Sequence, residues 1–351
     1  MRISELPGIS DSQLSKFQVG STRSAKVLEG PLNFECYECD PIEPFKSYTR
    51  KSIQSRLLKI TNGIFVEGAQ NVISLIEGVR FNLPIVDHVH NVHDDWPLRY
   101  AVQHESSIPR EAVMLSGKVL LLKGTWSSEF YHFMTETLGK VLVANFEIPL
   151  TKFDHIIIDR AEKPFISQWM EALGVESQTL KDFGRLPVMA EELFVPTDLA
   201  PCAATPLELI EFINRTIAKP GKKRHGSSGG KIYISRRGKR KVLFEEYLLD
   251  NLLHSEGVKK VNLEDFDIFQ QAEIVRDAEL IIGPHGAGLA NLVFSQGTVF
   301  ELVGDLYNNA CYADMAVSCG NKYFYHVCRE LSGDLIVNSA IVQKFIKKFE
   351  V

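Results

Sequence analysis

From residue 118 onward the chain alternates short, unbroken apolar runs with longer stretches whose apolar residues recur every three or four positions. "KVLLLKG" (118–124), "FDHIIID" (153–159) and "ELFVPTD" (192–198) read as buried strands, and helix-like stretches follow at 130–146, 164–173 and 206–217. That βαβαβα order is the rhythm of a parallel, doubly wound sheet. The first hundred or so residues differ. There, short β-like pieces such as "GIFVEGAQNVISLIEGVRF", separated by Pro and Asn turns, predict an irregular, β-rich opening layer. "AKPGKKRHGSSGG" (218–230) is rich in Gly, Ser and basic residues and poor in apolar ones, so it reads as a linker. A second α/β series follows, with strands at 231–237, 258–263, 279–283, 298–303 and 322–327. Helices are expected near 243–254, 267–277, 287–294, 309–319 and 338–348.

The pattern therefore predicts an N-terminal domain over 1–220 (β-rich 1–115, Rossmann-like 116–220), a linker at 221–230, and a C-terminal Rossmann-like domain over 231–351. The last helix is placed where it could pack back on the N-terminal domain. A chain of 351 residues with 45% hydrophobic and 24% charged residues is ordinary for a globular protein of this size. Its net charge of -5 gives no general attraction to nucleic acid or anionic lipid, so anion binding must come from a local basic patch. The six cysteines show no framework spacing and favour a reducing compartment; Cys36 and Cys39 form a CxxC without a second pair and read as incidental thiols. "MRISELPGISDSQLSKF" lacks the apolar core of a signal peptide, and no run is long enough to span a bilayer. A cytoplasmic protein, open to attachment at the inner face of a membrane, is expected.

"LIIGPHGAGLANLVF" (280–294) passes from a strand into a helix-like stretch through a turn holding Gly283, Gly286 and Gly288. Glycines there permit close approach of a ligand, and a helix starting near Gly286 points unpaired N–H groups into the turn, as anion sites require. The spacing is GxxGxG, not the GxGxxG of dinucleotide binders. The plain alternative is a tight turn whose glycines serve packing. His285 argues for a site, since a polar donor at such a turn does little for packing. Ligands in open α/β sheets sit beyond the carboxyl ends of strands. Beyond "KIYIS" lie Arg236, Arg237, Lys239, Arg240 and Lys241, suited to clamping a diphosphate or else merely a solvated charge run. Glu301, inside "TVFELV", is placed to accept both hydroxyls of a ribose, or else faces the surface.

"YISRRGKRKVLFEE", "VNLEDFDIFQQAEIVRDAELIIGPHGAGLANLVF" and "GTVFELV" together resemble the C-terminal signature of glycosyltransferase family 61, densely across residues 231–303. "GTWSSEFYHFMTETLGKVL" (124–142) resembles, less tightly, that family's His-containing helix. The resemblance implies a GT-B-like α/β architecture, two Rossmann-like domains facing a cleft. It also implies inverting transfer of a sugar from a nucleotide donor without an obligatory metal or other cofactor. The donor's diphosphate would meet Arg236, Arg240, His285, Gly286, Ala287 and Gly288, and its ribose Glu301. A UDP-sugar is the expected donor and a glycan or glycolipid the expected acceptor, in bacterial-type capsular or surface polysaccharide biosynthesis, within or beside a polysaccharide-assembly complex. "LFEE" stands where the family usually has an Asn before the Glu, so no donor role is assigned to Glu245.

If 130–146 is one helix capped by Ser127 or Ser128, then Met134, Leu138, Val141, Leu142 and Asn145 share a mostly apolar face, and His132, Glu136 and Lys140 the opposite one. Glu136 and Lys140 at i,i+4 could simply pair on the surface. An inverting transfer needs a base for the acceptor hydroxyl, and His132 or Glu136 suits that role. Among rivals, "DHVHNVHDDW" (87–96) hints at a metal-dependent hydrolase without a metal-binding spacing. Asp265 and Asp267 form a DxD that reads as helix capping. A non-catalytic nucleotide-sugar or glycan-binding component is the third reading.

Overall fold

The computed structural model describes residues 14–26, 34–43, 45, 54–66, 71–74, 77, 79–82, 112–124, 126–200, 203–217, 230–236, 246–306, 309–332 and 334–349. The chain forms two compact units, residues 1–26 with 52–202, and 27–51 with 203–351. The units therefore do not divide at 221–230. The helix Leu207–Ile217, upstream of the linker-like stretch, belongs to the second unit, and so does an early excursion of the chain. Strand β1 (Gln18–Ser24) lies in the first unit; β2 (Glu35–Cys36) is then donated to the second before the chain returns.

The first unit's remaining strands are β3 (Gln54–Val66), β4 (Asn71–Ser74), β5 (Val79–Asn82), β6 (Val113–Leu121), β7 (His155–Ile157), β8 (Leu180–Lys181) and β9 (Val188–Pro196). They are ordered 5-4-3-9-6-7-8, with β1 on β3. β9, β6, β7 and β8 run parallel, while β1, β3, β4 and β5 are antiparallel additions. The β-rich opening is thus no separate layer. It extends the parallel sheet, because the 13-residue β3 pairs along β9 from Leu57 to Phe65. β6 shows the transition within one strand: burial alternates from Val113 to Lys118 and becomes continuous at Val119, Leu120 and Leu121, as expected where a parallel strand is covered on both faces.

The second unit contains β10 (Gly230–Ile234), β11 (Val258–Val261), β12 (Ala278–Pro284), β13 (Thr298–Gly304), β14 (Lys322–Leu331) and β15 (Asp334–Ile336). Their order is 11-10-12-13-14-15; all neighbours are parallel except β14 and β15, and β2 pairs parallel to β14. All seven residues of β13 are buried, which marks it as the centre of the sheet. Phe300 and Leu302 join Tyr37, Phe345 and Ile346 in one core cluster, with Phe300 stacked on Phe345 at a 4.0 Å centroid separation. The closing helix, Ser339–Phe349, therefore packs within its own unit.

Asp267 caps the helix Ile268–Arg276: its Oδ1 accepts from the Phe269 and Gln270 amides, and Gln270 Oε1 accepts from the Asp267 amide. The DxD is a capping box, as its place before a helix predicts. No helix among the described residues is long and apolar enough to cross a membrane.

The CxxC departs from expectation. Cys36 and Cys39 are joined as a disulfide, with Cα atoms 5.9 Å apart. Glu38, at φ 54°, supplies the left-handed turn that brings them together, a conformation not legible from residue types since Glu rarely adopts it. Burial pushes the thiols of Cys319 and Cys328 up to about 12, leaving little reactive thiolate at neutral pH.

Two outcomes are expected. Asp267→Ala should cost about 1 kcal/mol in denaturant unfolding, since it removes an N-cap. Alkylation without reductant should leave the peptide holding Cys36 and Cys39 unlabelled, and two labels should appear there by mass spectrometry after reduction.

Candidate functional site

In the second unit the strand order reverses at β10. The chain goes from β10 to β11 on one side and then crosses back to β12 on the other. Doubly wound sheets bind ligands beyond the carboxyl ends of strands at such a switch point. Arg236 lies two residues past β10, and His285 directly follows β12. They meet: Arg236 Nη1 donates to the His285 carbonyl at 2.6 Å. Burial lowers the Arg236 pKa from its ordinary value, opposed by Tyr312 and Glu264, but a guanidinium remains charged at any physiological pH.

The glycines make this meeting sterically feasible. A Cβ on Gly286 would lie 2.5 Å from Arg236 Nε, one on Gly288 3.0 Å from Ile234 Cγ2, and one on Gly283 3.3 Å from the Ile234 carbonyl oxygen. Gly286 has an extended backbone, φ 168°, so contact and not a left-handed turn demands glycine there. The three glycines thus serve close packing against Arg236 and Ile234. The expected α-helix after the turn is a 3-10 helix, Ala287–Phe294. Leu289 to Phe294 are all buried, so no polar face is kept, and the Leu289 amide bonds back to the Gly286 carbonyl. Its first N–H groups still lack intrahelical partners. Ala287 is exposed at the turn's tip.

Behind the turn, His285 Nδ1 lies 2.6 Å from Glu301 Oε1, and Tyr323 donates its hydroxyl to Glu301 Oε2 at 2.5 Å. Glu301 has no solvent exposure and His285 only 8%. The carboxylate is therefore neither surface-facing nor open. Burial and the Glu301 charge hold the Tyr323 hydroxyl well above its usual pKa, so it keeps its proton. The Tyr312 ring lies 4.9 Å from that of His285. Neither tyrosine was legible as part of the site, because which strand and helix flank β13 is a tertiary fact. Arg237, Lys239, Arg240, Lys241 and Glu245, and the stretch 87–96, lie outside the described residues.

In the first unit, residues 130–147 are helical in three pieces: α over Phe130–His132, a π turn over Phe133–Thr137, and α over Leu138–Glu147. Glu129 is the N-cap, though its side chain makes no capping hydrogen bond. Ser127 instead bonds the carbonyl and amide of Gly124 in the preceding turn, so neither expected serine caps. The two-faced pattern is also corrected. Met134, Leu138, Val141 and Leu142 are buried, but so are Phe133, Thr137, Lys140, Val143 and Ala144, while Asn145 is exposed. Lys140 does not pair with Glu136; its Nζ lies 3.3 Å from Asp198 Oδ1, both side chains being 10% exposed. From Tyr131 to Ala144 the helix surfaces only at His132, Thr135 and Glu136. There His132 Nδ1 and Glu136 Oε1 lie 2.7 Å apart, with side chains 24% and 36% exposed. π turns inside helices frequently mark functional sites. Trp126, itself exposed, has its ring 5.2 Å from that of His132.

Each unit thus presents a His–Glu pair joined through Nδ1, one open to solvent and one sealed beneath a glycine turn. The family model of Glycosyltransferase 61 matches residues 130–300, a span that runs from the π-turn helix through β12 and into β13. The chain is also similar to the EGF domain-specific O-linked N-acetylglucosamine transferase of Drosophila melanogaster, with 38% identity over 96 residues. That match takes in 26% of this chain and 18% of that protein, so the chain spans about a fifth of its relative's length. Both likenesses are to proteins described as transferring sugars.

Gly286→Ala should keep the fold, since φ 168° suits alanine, yet displace the Arg236 side chain. The expected loss of its bond to the His285 carbonyl is about 1 kcal/mol by denaturant unfolding, with an unchanged far-ultraviolet circular dichroism spectrum.

Proposed function

We propose that this protein is an inverting glycosyltransferase using a nucleotide-diphosphate sugar. The observation that carries the reading is the meeting of Arg236 with the His285 turn at the switch point of the second unit's sheet. The donor's diphosphate would be met there by the Arg236 guanidinium, the His285 imidazole and the amides of Gly286, Ala287 and Gly288. Arg240, on the same basic segment, would add a second guanidinium. As the bond from the anomeric carbon to the diphosphate oxygen breaks, charge grows on that oxygen, and fixed donors stabilise it without requiring a divalent metal.

The acceptor hydroxyl attacks the anomeric carbon from the opposite face. Its oxygen forms the new bond, its proton goes to the base, and the nucleoside diphosphate departs with the electrons of the old one. Between His132 and Glu136, the geometry favours His132 as base. Glu136 engages Nδ1, which orients the imidazole and leaves Nε2 to take the proton and release it later to water. The exposed Trp126 ring beside it offers a flat apolar face for a sugar, which favours a glycan hydroxyl as acceptor. A second reading, in which the acceptor hydroxyl belongs to a protein domain and the donor carries N-acetylglucosamine, is favoured by the name of the Drosophila melanogaster relative. The Cys36–Cys39 disulfide favours a compartment that keeps thiols oxidised over the cytoplasm.

Calorimetric titration with nucleoside diphosphates in EDTA, followed by transfer assays on glycan and protein acceptors, tests this. Arg236→Ala should weaken nucleoside diphosphate binding by about tenfold or more. His132→Ala should leave that binding intact and lower kcat by roughly 10²–10⁴-fold. Binding that appears only with divalent metal, or a fully active His132→Ala variant, would overturn the mechanism.

A further inference from the structure

Glu301 is enclosed from several directions. Within β13 it alternates with Phe300 and Leu302, which face the core cluster beside the closing helix, so its own side chain points to the other face of the sheet. In register it lies between Gly283 on β12 and Tyr325 on β14. Ile234 and Leu289 close in where Gly283 lacks a side chain, and Tyr323, two residues before Tyr325 on the same face, reaches Glu301 from β14. The segment donated early in the chain closes over these tyrosines: Phe34 packs edge-on against Tyr323 at 5.7 Å, and Phe45 stacks on Tyr325 at 4.4 Å. A carboxylate so enclosed cannot be solvated and must be satisfied by protein donors.

Two polar side chains reach it, one on each oxygen. Tyr323 keeps its proton and gives its hydrogen bond to Oε2, while Oε1 faces His285 Nδ1. We infer that Glu301 and Tyr323 form a positioning relay behind His285: Glu301 accepts from Nδ1–H and so turns Nε2 toward the donor's diphosphate, to which Nε2 donates once the ring has taken up a second proton with the bound anion. Glu301 then acts through His285 and does not hold the ribose. This deepens the proposed function and rests on that reading of the donor site, but the relay itself is a property of three side chains. A buried carboxylate that holds Nδ1 is the arrangement that fixes an imidazole's tautomer and ring orientation.

The test has one arm independent of donor binding. Long-range ¹⁵N–¹H spectra of the imidazoles, with His285 assigned by comparison with His285→Ala, should show Nδ1 protonated in the wild-type protein. Tyr323→Phe keeps the ring against Phe34 and removes only the hydroxyl; it should broaden or shift that signal. A wild-type His285 protonated on Nε2 alone would overturn the relay, whether or not any nucleotide binds.

The second arm separates relay from ribose contact. Glu301→Gln should weaken UDP binding by about tenfold, 2′,3′-dideoxy-UDP should suffer the same loss, and no further loss should appear in a His285→Ala background. A Glu301→Gln effect that vanishes with the dideoxy nucleotide, or that persists in full without His285, would overturn the proposal in favour of direct ribose binding. Should Glu301→Gln not fold, Tyr323→Phe carries the same comparisons. If UDP and other nucleoside diphosphates fail to bind wild-type protein at all, the donor reading falls while the tautomer measurement still decides the relay.

Discussion

A carboxylate with no access to water is tolerated only when protein donors replace its hydration, and leaving one unsatisfied costs several kcal/mol. Glu301 imposes that requirement at the centre of the second unit's sheet. Its neighbours meet it: β12 carries Gly283 and leads into His285, and β14 brings the Tyr323 hydroxyl. The aromatic cover from Phe34 and Phe45 belongs to the same arrangement, since it removes the water that would otherwise compete. The strand order that puts β13 between β12 and β14 thus also orients the histidine at the turn.

The first unit treats polar groups differently. Its helix from residue 130 is buried almost all round, and the charged side chain it keeps inside, Lys140, is paired with Asp198. The π turn covers the stretch where the helix comes to the surface, and His132 and Glu136 emerge there. A helix surrounded by core is a rigid mount. It holds the two side chains with little freedom while leaving them partly open to solvent.

The donated segment around β2 joins local chemistry to the sheet. Tyr37, between the two disulfide-bonded cysteines, packs edge-on against Phe300 and Phe345, while Phe34 and Phe45 lie by Tyr323 and Tyr325, on the face where Glu301 points. The segment straddles the β14 edge and shields both faces at once. Covering an edge strand in this way also removes an exposed row of backbone groups that could pair with another chain.

Most of the α/β pattern from residue 118 onward was legible because buried parallel strands are unbroken apolar runs and their helices are periodic, and both are local properties of the chain. The capping box at Asp267 and the strand ends carrying Arg236 and His285 were legible for the same reason, as was the likeness of the HGAGL turn to family 61. Strand pairing was not. Nothing local says that β3 joins β9, that residues 27–51 cross to the other unit, or that Glu38 turns left-handed to close a disulfide. Burial of Lys140 and pairing of Glu136 with His132 likewise depend on what packs against the helix, which an i,i+4 rule does not contain. By itself the sequence determined the elements and the types of residue at their ends, since these follow from neighbours a few positions apart. Only the tertiary structure decided that Glu301 lies sealed behind His285, because its partners come from separate strands whose adjacency is set by sheet order and not by distance along the chain.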